Sequence, residues 1–182
     1  MKKTQLFIVI FIIVIMISSV IGFVYTRPSS NNQDPNSFSY KNFKFNPTSN
    51  GGYQVDLNGK TFIFDNLPQD LININLPNFN LEGDKYYLIM NPIERDENLN
   101  YNLNKLGYTL NLLNIKPVLA CINENGCKED LPIKNCKNNA FYFKKNNLSK
   151  IYLQDKCIII EGDNAEMSKS IDKINLKLAG IE

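Results

Sequence analysis

Apolar side chains fall along this chain in three regimes. From Leu6 to Val24 they are nearly continuous, and no charged side chain stands between Lys3 and Arg27. From Thr26 to Phe38, TRPSSNNQDPNSF, they almost vanish; beyond Phe38 they recur at short periods. At about 1.5 Å of rise per residue, roughly 20 apolar residues span about 30 Å, the hydrocarbon thickness of a bilayer. Residues 1–25 are therefore expected to form an N-terminal transmembrane helix. A cleaved secretory signal is the competing reading, with Lys2 and Lys3 as its basic start and Ser18, Ser19 and Gly22 as small residues near a cleavage site. The apolar run is longer than the usual signal core of about 7–15 residues. On either reading Lys2 and Lys3 keep the N-terminus cytoplasmic and everything after Tyr25 faces outward. A lipid anchor would need a cysteine near the end of the run, and the first is Cys121.

Residues 26–38 have too little apolar surface to offset their ordering entropy and are expected to be a flexible linker. Residues 39–182 suffice for one extracytoplasmic domain with a single core. In YQVDLNGKTFIFD two short runs flank Asn58-Gly59, the dipeptide that supplies the positive φ angles of a tight hairpin turn, so a hairpin is expected over 53–65. FKFNP adds a strand upstream, and LPQDLININLP, with a proline near either end, is expected to be an edge strand or irregular. KYYLIM reads as a buried strand stopped by Asn91-Pro92. Leu99, Leu103, Leu106, Leu110 and Leu113 then recur at steps of four and three, a helix stripe beginning at the N-cap Asp96 and ending before Pro117. PVLACI follows as a strand, which makes a βαβ crossover with parallel strands.

AFYFKK, KIYLQ and CIIIEG are three more strands, the first two expected to pair across KNNL with Phe141 near Leu153, the last two joined at Asp155-Lys156. The closing helix has Asp163 and Glu166 in a capping-box pattern, a stripe of Met167, Ile171, Ile174 and Leu178, and Gly180-Ile181 as a left-handed cap with its apolar contact. The fold class is α+β: one mixed β-sheet with two helices packed mainly on one face, preceded by the transmembrane helix.

Four cysteines in an outward-facing domain point to disulfides. Zinc is disfavoured because the chain has no histidine and the cysteines are separated by five, eight and twenty intervening residues. A catalytic thiolate would have only Lys128 or Lys156 to activate it, and a redox pair would normally be CxxC. Of three pairings, the chain path selects Cys121 with Cys127 across the NENG turn, and Cys136 with Cys157, brought together by the expected pairing of AFYFKK with KIYLQ. Asn147-Leu148-Ser149 is a permitted glycosylation sequon in the turn between those strands.

Setting aside Lys2 and Lys3 leaves 18 basic residues against 18 acidic ones, interspersed as on a solvated surface, which gives no reason to expect nucleic-acid or anionic-lipid binding. The densest acidic clusters, DENLN at 96–100 and EGDNAE at 161–166, sit at expected helix N-termini, where capping and the helix dipole account for them. EGDNAE has neither the ligand spacing of a calcium loop nor the glycines and lysine of a phosphate loop. No catalytic, metal or cofactor residue is assigned.

LACINENGC, LPIKNC, KCIIIEGDNAE and the terminal LAGIE, within residues 85–181, resemble a group of small single-pass, cysteine-containing envelope proteins of reduced-genome archaea. The resemblance implies compartment and fold and no chemistry. The function expected is a membrane-anchored binding or structural module of the cell envelope, its partner an envelope protein or polymer. A carboxylate-based hydrolase of envelope polymers is the alternative, and a pilin-like fibre subunit a weaker one, since Arg27-Pro28 should break the long helix a pilin needs.

Overall fold

The computed structural model describes residues 37–127 and 130–182. The apolar run, nearly all of the linker and the fibre-subunit reading that rests on them lie outside the described residues. Among the described residues no helix is long and apolar enough to cross a membrane.

The first four strands form an antiparallel meander, β1 (Phe38–Tyr40), β2 (Phe43–Pro47), β3 (Tyr53–Leu57) and β4 (Lys60–Phe64), in that spatial order. Each turn is tight because its residues take left-handed backbone angles. Lys41 at φ 51° closes the first, and Asn58 at φ 51° with Gly59 at φ 76° closes the third, so the Asn-Gly hairpin forms as expected. Phe45, Val55, Phe62 and Phe64 bury on one face of this sheet. Beyond β4 the chain makes a 3-10 turn at Pro68–Leu71 and then runs irregularly to β5, which bears out the irregular alternative for LPQDLININLP.

The second sheet is mixed and has five strands: β5 (Lys85–Met90), β6 (Lys116–Cys121), β7 (Ala140–Lys145), β8 (Lys150–Gln154) and β9 (Cys157–Gly162), in the order β6-β5-β7-β9-β8. The single sheet expected from sequence is thus two, because the first four strands are linked by turns so short that they satisfy one another locally. β5, α1 (Glu97–Leu112) and β6 make the βαβ crossover with β5 and β6 parallel. Asp96 caps α1 through Leu99 N–H at 2.7 Å. At its other end Asn114, at φ 61°, lets the Ile115 N–H return to Leu110 O at 2.9 Å, ending the helix ahead of Pro117.

β7 and β8 do not pair. β9 inserts between them, parallel to β7 and antiparallel to β8, so Phe141 and Leu153 both face Ile158 and are not neighbours. The reason lies in the side chains. Every residue of CIIIEG is buried, whereas in KIYLQ only Ile151 is, and the strand that buries both faces takes the interior place.

α2 (Asn164–Leu178) closes the chain. Asp163 accepts from the Glu166 N–H at 2.9 Å, but the Glu166 carboxylate turns to Lys169 and leaves the capping box half made. Gly180, at φ 73°, allows the Ile181 N–H to reach Leu176 O, and Ile181 buries against the meander. The leucines of α1 and Met167, Ile171 and Ile174 of α2 share one core with Tyr86, Leu88, Met90, Phe141, Phe143, Ile158 and Ile160. Both helices therefore cover one face of the mixed sheet.

A second face of α1 docks the meander. Tyr101, Lys105 and Tyr108 follow helical spacing; Tyr101 donates to Asp65 Oδ1 at 2.6 Å and Tyr108 to Thr61 O at 3.1 Å. Lys105, buried, is paired with Asp65 and, at 2.9 Å, with Asp172 of α2, whose other oxygen accepts from Asp65 N, Asn66 N and Asn66 Nδ2. The interspersed charges are thus not all solvated: Lys105, Glu161 and Asp172 are core residues.

Candidate functional site

The face of the mixed sheet turned away from the helices can be laid out in rows from the strand register. One row runs Val118, Tyr87, Ala140, Cys157, Gln154; the next Ala120, Ile89, Tyr142, Ile159, Tyr152; the last Lys144, Glu161, Lys150. Among the described residues no helix lies on this face. A strap formed by residues 132–139 crosses it instead. The strap pairs beside β6 through Cys121 N–H to Pro132 O and Lys134 N–H to Cys121 O, then reaches β9, where Cys136 O accepts from Lys156 N–H.

Disulfides hold the strap and the loop before it, Cys121 to Cys127 and Cys136 to Cys157, with Cα separations of 6.3 and 4.9 Å. The partners are those expected, but the path differs: Cys157 is reached because Ala140 and Cys157 are register partners on adjacent parallel strands, without any β7–β8 pairing. Ala120 and Ala140, the smallest side chains of the face, are wholly buried with Cys157, Ile89 and Ile159, and Cys136 and Ile122 pack against them. Past the strap, toward the carboxyl ends of β7 and β9, the face ends in a shelf of two part-exposed rings, Tyr142 and Tyr152, bordered by Lys144 and Lys150.

The two acidic clusters singled out in the sequence meet at this end of the sheet. Lys144 and Lys145 are consecutive on β7 and so point to opposite faces. Lys144 pairs with Glu161 at 2.7 Å on the shelf side, and Lys145 pairs with Asp96 on the helix side. Asn164 Nδ2 donates to the same Asp96 oxygen at 3.1 Å, tying the starts of α1 and α2 together. Asp96 and Asp163 are caps, as expected, whereas Glu161 belongs to β9 and is not at a helix terminus.

Electrostatics fix the protonation of both carboxylates. Hydrogen bonds from Lys145, Leu99 N–H and Asn164 hold the Asp96 carboxyl down at about 2. Burial pushes Glu161 up, but donors on Lys144, Tyr152, Lys150 and Asn146 outweigh it and bring the group down to about 2. A glycosidase acid needs the opposite shift, so that it holds its proton at neutral pH. These two carboxylates act as fixed anions that organise lysines and a tyrosine. A recess of about 410 Å³ opens nearby, lined by Asp70, Asn73, Ser149, Lys150, Glu166 and Lys169; Lys169 pairs with Glu166, Lys150 with Glu161, and Asp70 accepts from the Leu67 N–H. Among the described residues no group of three acidic, cysteine or histidine side chains is placed to hold a metal ion.

Asn147 is exposed in the connection between β7 and β8, beside the shelf, and Leu148 next to it is 73% exposed. Sequence reasoning missed Lys144, Lys145, Tyr142 and Tyr152. The available signal was the end of AFYFKK, where two successive lysines in a strand must serve both faces of a sheet. Comparison with protein-family models, curated proteins and solved structures finds no match to this chain.

Proposed function

We propose that the chain is a membrane-anchored, extracytoplasmic binding module of the cell envelope, acting through the strapped face of its mixed sheet. The observation that carries this reading is the locking of Asp96 and Glu161 by the consecutive lysines of β7. It converts the best candidates for acid–base work into fixed charges, of which Glu161, with Lys144 and Lys150, frames the two tyrosines. A frame of that kind presents a surface and has no group poised to exchange a proton. The two disulfides support an oxidising compartment, and the apolar run at residues 6–24 supports attachment to the membrane from which the domain extends.

The test is a photo-reactive amino acid placed at Tyr152 in the full chain in its native membrane. Crosslinking to an envelope protein or polymer is expected from Tyr152 and not from Lys60 on the far end of the meander. Hydrolysis of an envelope polymer by the purified chain, lost in Glu161→Gln, would replace the binding reading with the hydrolase one.

A further inference from the structure

The amino end of the strapped face carries a cluster that the shelf does not use. Lys85 and Lys116 are register partners on parallel strands, so their side chains leave the sheet side by side on the same face as Tyr87. Lys134 reaches in from the strap. The ammonium groups of Lys85 and Lys134 stand 4.8 and 4.9 Å from the centre of the Tyr87 ring. None of the three lysines is ion-paired with a carboxylate among the described residues. Like charges set directly opposite one another in a sheet are destabilising, and here the fold retains them without a carboxylate ion pair among the described residues to relieve them. The domain's formal neutrality therefore hides a cationic corner.

We propose that Lys85, Lys116, Lys134 and Tyr87 form the subsite for an anionic substituent of an acidic polysaccharide. The proposal rests on the binding-module reading and gives its ligand a chemical class. Charge complementarity selects an anion, and the envelope polymer that the binding-module reading allows as partner makes it an acidic polymer. Half-buried phenol rings with hydroxyl tips complement sugar rings, which also have an apolar face and a polar edge. An acidic peptide adding as a strand is disfavoured at the β6 edge, where Pro117 lacks a donor and the 132–134 segment already takes the Cys121 amide.

The test titrates the full chain in detergent with oligogalacturonate, with its fully methyl-esterified and hence uncharged form, and with polyglutamate. Oligogalacturonate is expected to bind and to weaken with rising salt. Lys85→Gln, at an exposed residue, and Lys134→Gln, at a half-buried one outside the core, should each weaken it about tenfold, as the loss of a hydrogen bond to a charged group does; Lys60→Gln should not. The esterified form should bind wild type at least as poorly as a Lys85→Gln, Lys134→Gln double variant binds oligogalacturonate. Equal binding of the ester, equal binding of polyglutamate, or no binding of oligogalacturonate overturns the acidic-polysaccharide assignment. In each of those cases the crosslinking from Tyr152 still reports separately on whether the face binds an envelope component.

Discussion

Lys144 and Lys145 show how much one residue of offset achieves in a sheet. Alternation sends the first to Glu161 and the second to Asp96, so a two-residue stretch fixes the charge on both faces at the carboxyl end of β7. Glu161 carries the clearer consequence for stability. Its carboxyl falls from an ordinary 4.5 to about 2 in the folded protein, so the folded state favours the ionised form. A group with a depressed folded pKa stabilises the protein fully above its unfolded value, and that contribution disappears as pH falls through the folded one. Thermal unfolding of the full chain between about pH 4.5 and 2 should therefore show a steep loss of Tm. Glu161→Gln should lie below wild type at neutral pH by about 1–3 kcal/mol, the worth of hydrogen bonds to a charged group, and should lose less on acidification. Parallel curves for the two proteins would show that Glu161 titrates normally.

At the scale of elements, position in the sheet follows apolar content. CIIIEG takes the interior and KIYLQ the edge although they are consecutive, because an interior strand buries both faces while an edge strand need bury only one. Turns in the meander are fixed with equal economy by backbone angle, and two glycines separate strain from crowding. Gly59, at φ 76°, has open space where a Cβ would stand, so Gly59→Ala meets only the left-handed penalty of about 1–2 kcal/mol. Gly52, at φ 78°, would bring a Cβ to 2.6 Å from the Phe64 carbonyl oxygen, in the backbone of β4. Gly52→Ala should accordingly cost clearly more than Gly59→Ala in urea unfolding, and equal losses would show that the β2–β3 turn yields to make room.

At the scale of the whole molecule, one polar latch joins two of the apolar cores, the one between the helices and the mixed sheet and the one under the meander. Met167, Ile171 and Ile174 of α2 serve the core under the mixed sheet, and Leu176 and Ile181 serve the core under the meander. Between them Lys105, Asp65 and Asp172 bind α1, α2 and the end of β4 into one unit. Burial holds the Asp172 carboxyl above its ordinary range, against the opposing pull of Lys105 and Asn66. Asp172→Ala leaves Lys105 buried with Asp65 as its single carboxylate partner and should cost about 3–5 kcal/mol, whereas Asp172→Leu with Lys105→Met should recover much of it. Chemical denaturation of the three proteins checks this; a double variant no better than Asp172→Ala would make the latch indispensable to packing as well as to charge.

Much of this architecture is written locally. The Asn58-Gly59 hairpin, the Asp96 cap with its leucine stripe, the crossover from β5 to β6 and the Gly180-Ile181 ending follow from periodicity and from backbone angles that few residues adopt. The division into two sheets, the insertion of β9 between β7 and β8, the burial of Lys105 and Asp172, and the gathering of Tyr87, Tyr142 and Tyr152 on one strapped face do not. They depend on which distant surfaces meet, and a lysine that will be buried in an ion pair has the same place in a one-dimensional pattern as one left in water. Short-range sterics and hydrophobic period determine the elements; competition among those elements for buried positions, settled only when the whole chain packs, decides the face that the protein presents.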